Sequence, residues 1–266
     1  MTPLLVVRDL SVSFHRDGAP VVAVNGISFA IAAGESVALV GESGCGKSAS
    51  ALAMMRLLPP HATVAPASAV QFDGRDVLAM ADAELNDLRG RRLAMIFQEP
   101  ATALNPLMRI GDQVAEVALL HGEKSKAAAR ERAVAMLERA GIPDVGVRAR
   151  QYPHELSGGL RQRVVIAMAL LLKPALIIAD EPTSALDVIV QAEILALLLE
   201  LQRESGSALL MITHDFGVVA ALSSRVLVMQ RGQLVEDAPV AQIFRAPQHP
   251  HTIELLQAVP RIGVPR

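Results

Sequence analysis

An α/β fold, in which a largely parallel sheet is covered by helices, is predicted by three observations. The stretch Val37-Ala-Leu-Val-Gly-Glu-Ser-Gly-Cys-Gly-Lys-Ser48 runs from an aliphatic strand through a glycine-rich turn into a helix start without a break. Strands and helical stretches alternate again from Ala175 to Asp237. Hydrophobic residues make up 52% of the chain and aromatics only 3%, the balance expected of strands buried on both faces.

Taken in order, Leu4–Asp9, Val12–Phe14 and Ile27–Ile31 read as short strands punctuated by Asp17-Gly18 and Ala33-Gly34. Together they make a β-rich opening. Ser36–Val40 is the strand that feeds the glycine turn, and a helix from about Gly46 runs on until Pro59-Pro60 ends it. Ala69–Phe72 and Val77 flank Asp73-Gly74 as a hairpin. Leu93–Phe97 is a strand that delivers Gln98. Apolar residues at helical spacing then dominate from Ile110 to Ala140, which predicts an inserted helical subdomain over about 99–165. Strand Ala175–Ala179, helix Ile189–Arg203, strand Ala208–Thr213, a short helix from Phe216 and a hairpin of Val226–Gln230 with Gln233–Asp237 complete the order. A short tail occupies about 239–266 of this single domain of 1–266.

Composition excludes several classes. The chain is long enough for one large core, and a net charge of −2 with a pI near 6.4 gives no electrostatic reason to expect nucleic acid. Cys45 is the only cysteine, so neither a disulfide framework nor a cysteine-ligated cluster is expected. The amino terminus meets Arg8 and Asp9 before a signal-like apolar run is completed, which reads as a non-secreted start. Val164–Leu172 is the most apolar run and stops far short of the ~20 residues that span a bilayer.

The glycine turn fits G-x-x-x-x-G-K-[ST] over Gly41, Glu42, Ser43, Gly44, Cys45, Gly46, Lys47 and Ser48. Its glycines let backbone N–H groups face inward, Lys47 reaches phosphate oxygens, Ser48 can hold Mg²⁺, and the helix that starts near Gly46 and runs on through Ala49 lends its positive end. A nucleotide's phosphates and Mg²⁺ are the ligands this implies. Cys45, among inward amides near a helix start, is expected to favour its thiolate; the alternative is an inert filler. Ala175-Leu-Ile-Ile-Ala-Asp180-Glu181 ends an aliphatic strand in two acids, Asp180 placed for Mg²⁺ and Glu181 for polarising a water. Leu156-Ser-Gly-Gly-Leu-Arg-Gln162 precedes a helix and makes a second anion-grade terminus from Ser157, Gly158 and Gly159.

These motifs together, with Ser184-Ala-Leu-Asp187 and Ile212-Thr-His214, resemble the nucleotide-binding subunit of ABC transporters over nearly the whole chain. The resemblance implies a P-loop NTPase cassette. It assigns Gln98 to the loop glutamine that senses Mg²⁺ and the membrane partner, Glu181 to the catalytic base and His214 to the switch histidine at the γ-phosphate. Ser184 and Asp187 match the loop that communicates across a dimer, and Ser157, Gly158, Gly159 and Gln162 match the signature that closes over ATP on the opposite subunit. Phe14 is the candidate for stacking on adenine.

Gln98-Glu-Pro-Ala-Thr-Ala-Leu-Asn-Pro106 and the tail from Gln248 to Arg261 are similar to the peptide and nickel importer subfamily. Ala103 and His251 depart from its commoner Ser and Tyr. His249 and His251 flank a proline with no third ligand nearby and are not taken as a metal site. The resemblance implies the shorter branch, with no iron–sulfur cluster. It further implies ATP hydrolysis that drives uptake of di- or oligopeptides, with nickel or another small solute as the alternative. The expected partners are a second, different ABC ATPase subunit, two transmembrane permease subunits and an extracytoplasmic solute-binding protein, without nucleic acid; a homodimer is the other assembly. The expected location is peripheral, on the cytoplasmic face of the inner (plasma) membrane. A soluble ABC ATPase acting on ribosomes or DNA is the rival class, and the span from Gln98 to Leu156 is short for the coiled-coil insertion many of those carry.

Overall fold

A computed structural model describes residues 3–15, 20–184 and 186–258. Along the chain, β1 (Leu5–Phe14), β2 (Val21–Ile31) and β3 (Ser36–Val40) lead into α1 (Lys47–Met54), followed by β4 (Ala62–Val64), β5 (Ala69–Phe72) and β6 (Arg75–Asp76). Helix α2 (Asp82–Leu88) and strand β7 (Leu93–Ile96) precede a helical run of α3 (Pro100–Ala103), α4 (Ile110–Leu120), α5 (Lys126–Arg139), α6 (Val145–Arg148) and α7 (Gly158–Leu170). Then come β8 (Leu176–Asp180), α8 (Val188–Ser205), β9 (Ala208–Ile212) and α9 (Phe216–Leu222). The hairpin β10 (Arg225–Gln230) and β11 (Gln233–Pro239), with α10 (Val240–Arg245) and α11 (Pro250–Ala258), follows. Two compact units divide the chain, Met1–Met80 with Leu210–Arg266, and Ala81–Leu209.

In the first unit an antiparallel sheet takes the order β2-β1-β5-β6, with β4 also paired to β1. Two short strands were expected where β1 runs unbroken for ten residues. The reason is local: Asp9, at φ 47, makes a bulge and not a turn, because Ser28 Oγ accepts from its N–H at 2.8 Å and Ser68 Oγ donates to its carbonyl at 3.1 Å. A further bulge lies in β2. Val12 pairs with Val24 and Ser13 with Val22, so Ala23 is left without a partner on β1. The expected turn at Asp17-Gly18 falls outside the described residues. The hairpin at Asp73-Gly74 is present, both residues at positive φ (51 and 76), but its return strand is Arg75–Asp76 and Val77 only closes it through its N–H to the Val70 carbonyl at 2.8 Å.

The same unit holds an aliphatic layer. Strand β10 pairs parallel with β3 from Arg225↔Val37 to Val228↔Val40 and antiparallel with β11. The Thr213 N–H reaches the Leu39 carbonyl at 3.3 Å, which sets the end of β9 beside β3. Ala38, Val40, Val226 and Val228 are buried with Phe216, Val219 and Ile243, and Leu255 and Leu256 of α11 pack on this cluster. Helix α11 is seated by a carboxylate from elsewhere: Glu236 accepts from the N–H groups of Gln248 (2.9 Å) and His249 (3.1 Å) and from Thr252 Oγ1 (2.5 Å).

In the second unit β7 and β8 pair in parallel from Leu93↔Leu176 to Ile96↔Ala179, and every residue of β8 is buried. Each fully buried Leu or Ile side chain there contributes roughly 1.5–3 kcal/mol. Strand β8 starts one residue later than expected and takes in Asp180, because the chain reaches it through Lys173 at φ 51 and Pro174. The Ala208 N–H donates to the Ala175 carbonyl at 2.8 Å. Arg163 of α7 ties three helices, donating to the Ala140 carbonyl at 3.2 Å and to Glu193 at 2.9 Å. Helix α2 was not foreseen; its apolar content is limited to Leu85 and Leu88 on the buried side. Among the described residues no helix is long and apolar enough to cross a membrane.

Candidate active site

In the first unit the loop after β3 is shaped by what presses on its glycines. A Cβ on Gly41 (φ 155) would stand 2.2 Å from the Met229 carbonyl oxygen, and one on Gly46 (φ 112) 2.3 Å from the Ala23 carbonyl oxygen. Both contacts are with backbone, so neither can be relieved by a side chain turning away. Ala23 is the residue left unpaired at the bulge in β2. Gly232, in the β10–β11 turn at φ 83, donates its N–H to the Cys45 carbonyl at 2.9 Å and accepts from the Asn25 N–H at 2.7 Å. One turn therefore braces both β2 and the phosphate loop. Ala23, Met229 and Gly232 were not singled out from the sequence; only the Arg231-Gly232 turn left a readable signal.

Lys47 is 5% exposed, and its Nζ donates to the carbonyls of Gly41 and Glu42, both at 2.9 Å, with Cys45 Sγ at 3.8 Å. The ammonium thus spans the loop from inside. Gly46 caps α1, with no side chain on that terminus, while Ser50 Oγ returns to the Gly46 carbonyl at 3.0 Å. The helix begins at Lys47, which puts its N-terminal end directly after the loop. Glu42, Ser43 and Gly44 are exposed.

Cys45 differs from expectation. It is 8% exposed, and burial pushes its thiol up from the ordinary value more strongly than the Lys47 charge and the Lys47 hydrogen bonds pull it down. Its thiolate is disfavoured, because desolvation in this loop outweighs one ammonium.

The remaining candidates of this unit sit at strand ends. His214 is exposed after β9, on a turn fixed by Asp215, whose N–H meets Thr213 Oγ1 at 3.0 Å and whose carboxylate caps α9 through Gly217 N–H at 2.7 Å. Phe14, the last residue of β1, lies opposite Val21 on β2 and Ala62 on β4, and its ring meets the His61 ring at 5.8 Å.

In the second unit Asp180 is 5% exposed at the end of β8, and Glu181 follows at φ 43. A left-handed backbone at a non-glycine residue costs about 1–3 kcal/mol and turns the Glu181 side chain off the strand direction. Gln98 Nε2 donates to Glu181 Oε2 at 3.4 Å, which leaves the amide oxygen of Gln98 as an acceptor. Ser184 Oγ and N–H both reach the Glu181 carbonyl, at 3.2 and 3.3 Å. Asp187 caps α8 by accepting from the Val190 N–H at 3.0 Å.

The second helix terminus is built as expected from a cap. Ser157 Oγ accepts from the Leu160 N–H at 3.4 Å. Gly158 and Gly159 lie where a Cβ would meet Leu186 Cδ2 at 3.3 Å and Val190 Cγ1 at 2.8 Å. The signature thus packs on the segment that follows Glu181. Gln162 is 1% exposed, one helical turn inside, and its Nε2 has no hydrogen-bond partner among the described residues.

The ABC transporter family profile matches residues 24–184. The chain belongs to the ABC transporter family. Similarity to other ABC proteins extends beyond the profile. The chain is 48% identical to the dipeptide transport ATP-binding protein DppD of Bacillus subtilis over 264 residues, covering 99% of this chain and 79% of that protein. It is 50% identical to the oligopeptide transport ATP-binding protein OppD of Salmonella typhimurium over 259 residues, covering 97% of this chain and 77% of that protein. Among solved structures it matches the ATP-binding cassette MJ0796 bound to ADP and Pi with a TM-score of 0.78 at 28% identity, over 89% of this chain and 98% of the other. The α/β architecture is therefore that of an ABC cassette, and the chain is an ATP-binding, ATP-hydrolysing transporter component.

Proposed function

We propose that this ABC ATPase powers the import of short peptides. The observation that supports the reading best is near-half identity, over almost the entire chain, to proteins named for dipeptide and oligopeptide transport. Nickel or another small solute is the reading the substrate test must exclude.

In the proposed cycle the triphosphate lies on the loop of residues 41–48 and the early amides of α1. A phosphate oxygen is a far better acceptor than a thiol sulfur, so it accepts the hydrogen bond from the Lys47 ammonium that faces Cys45. Ser48, Asp180 and Gln98 are the residues that would hold Mg²⁺. They fit that ion by donor type, since hydroxyl, carboxylate and amide oxygens are hard ligands, and Gln98 has its oxygen available once its nitrogen is engaged by Glu181. Bound there, the metal would supply charge neutralisation at the phosphates. Glu181 accepts a proton from the attacking water, its carboxylate oriented by Gln98 and its backbone by Ser184. His214 contacts the γ-phosphate, and Phe14 carries the adenine.

Ser157, Gly158, Gly159 and Gln162 would serve the nucleotide of a partner cassette, with Ser184 and Asp187 passing the state of one site to the other. The partner is read as a different ABC ATPase, below two permease subunits supplied by an extracytoplasmic binding protein, at the inner face of the membrane. The helical stretch of 99–165 is read as the subdomain that turns nucleotide state into movement of those permeases.

The test is reconstitution in proteoliposomes of this chain with its candidate permeases and second cassette. Peptide-loaded binding protein should stimulate ATP hydrolysis and drive labelled di- or tripeptide uptake. Stimulation by nickel with no response to peptides overturns the substrate reading. Native mass spectrometry of the same complex should give one copy of this chain with one related ATPase, and two copies of this chain in a fully active complex would overturn the heterodimer.

A further inference from the structure

The edge of the first unit where β1 ends carries a side chain that no step above uses. The Phe14 and His61 rings stand 5.8 Å apart at 51°, a tilted aromatic pair. His61 is exposed, yet its backbone is held, its carbonyl accepting from the His15 N–H at 2.8 Å while His15 Nε2 meets Thr63 Oγ1 at 3.0 Å. On the other side of Phe14, Val21 is its direct cross-strand partner and is 61% exposed, with Val22 57% exposed beside it. The Phe14 ring and Val21, on one face of the sheet, thus form an open apolar shelf.

The distance from this shelf to the phosphate loop is set by β2. Val21 and Ala23 are two residues apart, about 7 Å along a strand, and the Ala23 carbonyl bears directly on Gly46. That is the spacing a ribose bridges between a triphosphate and its base.

We infer that His61 is a positioning residue for the base end of the nucleotide site: its imidazole backs the Phe14 ring and fixes the face on which the purine stacks. This rests on the reading that Phe14 carries the base. Phe14 ends its strand half-buried, and the ring of His61 is an aromatic neighbour that limits its rotation. Stacking affinity then depends on a side chain that does not touch the nucleotide.

The experiment measures ATP and tripolyphosphate affinity of the full-length chain by calorimetry, for Phe14→Ala, His61→Ala, His61→Phe and the double alanine variant. His61→Ala should weaken ATP binding about three- to tenfold, the scale of one aromatic pair, and leave tripolyphosphate binding unchanged because that ligand has no base. His61→Phe should restore ATP affinity, since a ring and not a hydrogen bond is what Phe14 needs. In the Phe14→Ala background His61→Ala should add nothing, the signature of action through Phe14. If Phe14→Ala leaves ATP affinity intact, the base-site reading falls and the inference with it. If Phe14→Ala weakens ATP while His61→Ala does not, or if the two losses add, the inference alone is overturned.

Discussion

Gln98 holds one oxygen of Glu181 through a 3.4 Å hydrogen bond, across 83 residues of sequence. The proposed base therefore has one oxygen engaged and oriented. Replacing Glu181 by Gln keeps the shape and the contact but removes the proton acceptor, so ATP should still bind while phosphate release falls by about 10²-fold or more. Nucleotide titration beside a phosphate-release assay on the assembled transporter checks this, and near-normal turnover would take Glu181 out of that role. Lys47→Ala should instead weaken ATP binding, since a buried phosphate-facing charge is lost.

The two crowded glycines of the phosphate loop should be far less replaceable than the open one. At Gly46 an added Cβ meets backbone at 2.3 Å and φ is 112, whereas at Gly44, φ 79, nothing lies within 4 Å. Gly44→Ala should cost about 1–2 kcal/mol from the left-handed backbone alone. Gly46→Ala should cost more and should also displace β2 at Ala23, lowering both the denaturation midpoint and ATP affinity. Equal midpoints for the two variants would contradict the steric argument.

Cys45 should react slowly with maleimide at neutral pH and faster as the pH rises, because burial holds its thiol above the ordinary range. Lys47 Nζ at 3.8 Å offsets only part of that penalty. MgATP should slow labelling further by covering the loop. Rapid labelling at pH 7 with no rise toward alkaline pH would show the thiolate to be favoured after all.

The seat of α11 should loosen in acid. Burial of Glu236 pushes its carboxyl up, but the hydrogen bonds from Thr252, Gln248 and His249 outweigh this and hold it below the ordinary carboxylate value. A folded-state value below the unfolded one means the contribution is complete above the unfolded value and is lost as pH falls through the folded one. Amide exchange in α11 should therefore accelerate below about pH 4 in the native chain. Glu236→Gln should show raised exchange at neutral pH and no further acid step.

The sequence was most readable where one chemistry demands one residue at one spacing. Lys47, Ser48, Asp180, Glu181 and Ser157 sit at the strand ends and helix starts that their neighbours' patterns imply, because glycine turns and aliphatic strands are local signals. Less readable were features created by distant partners. Asp9 looks like a strand terminator and is a bulge, since Ser28 and Ser68 take over its backbone bonds from 19 and 59 residues away. Cys45 looks activated from its local motif and is not, because its burial is a property of the folded unit that a local reading does not show. Helix α2 shows little amphipathic contrast over seven residues, too few to reveal its period.

The brace at Gly232 also sets when the site can first exist. A chain emerging from the ribosome displays the whole phosphate loop once residue 48 is free, but the turn that clamps Cys45 and Asn25 arrives 184 residues later, at Gly232. At synthesis rates of about 5–20 residues per second, the loop spends roughly ten to forty seconds without its clamp. Nucleotide capture is accordingly a late event in the birth of this protein, and a product released before Gly232 would carry the full binding motif without the clamp on Cys45 and Asn25.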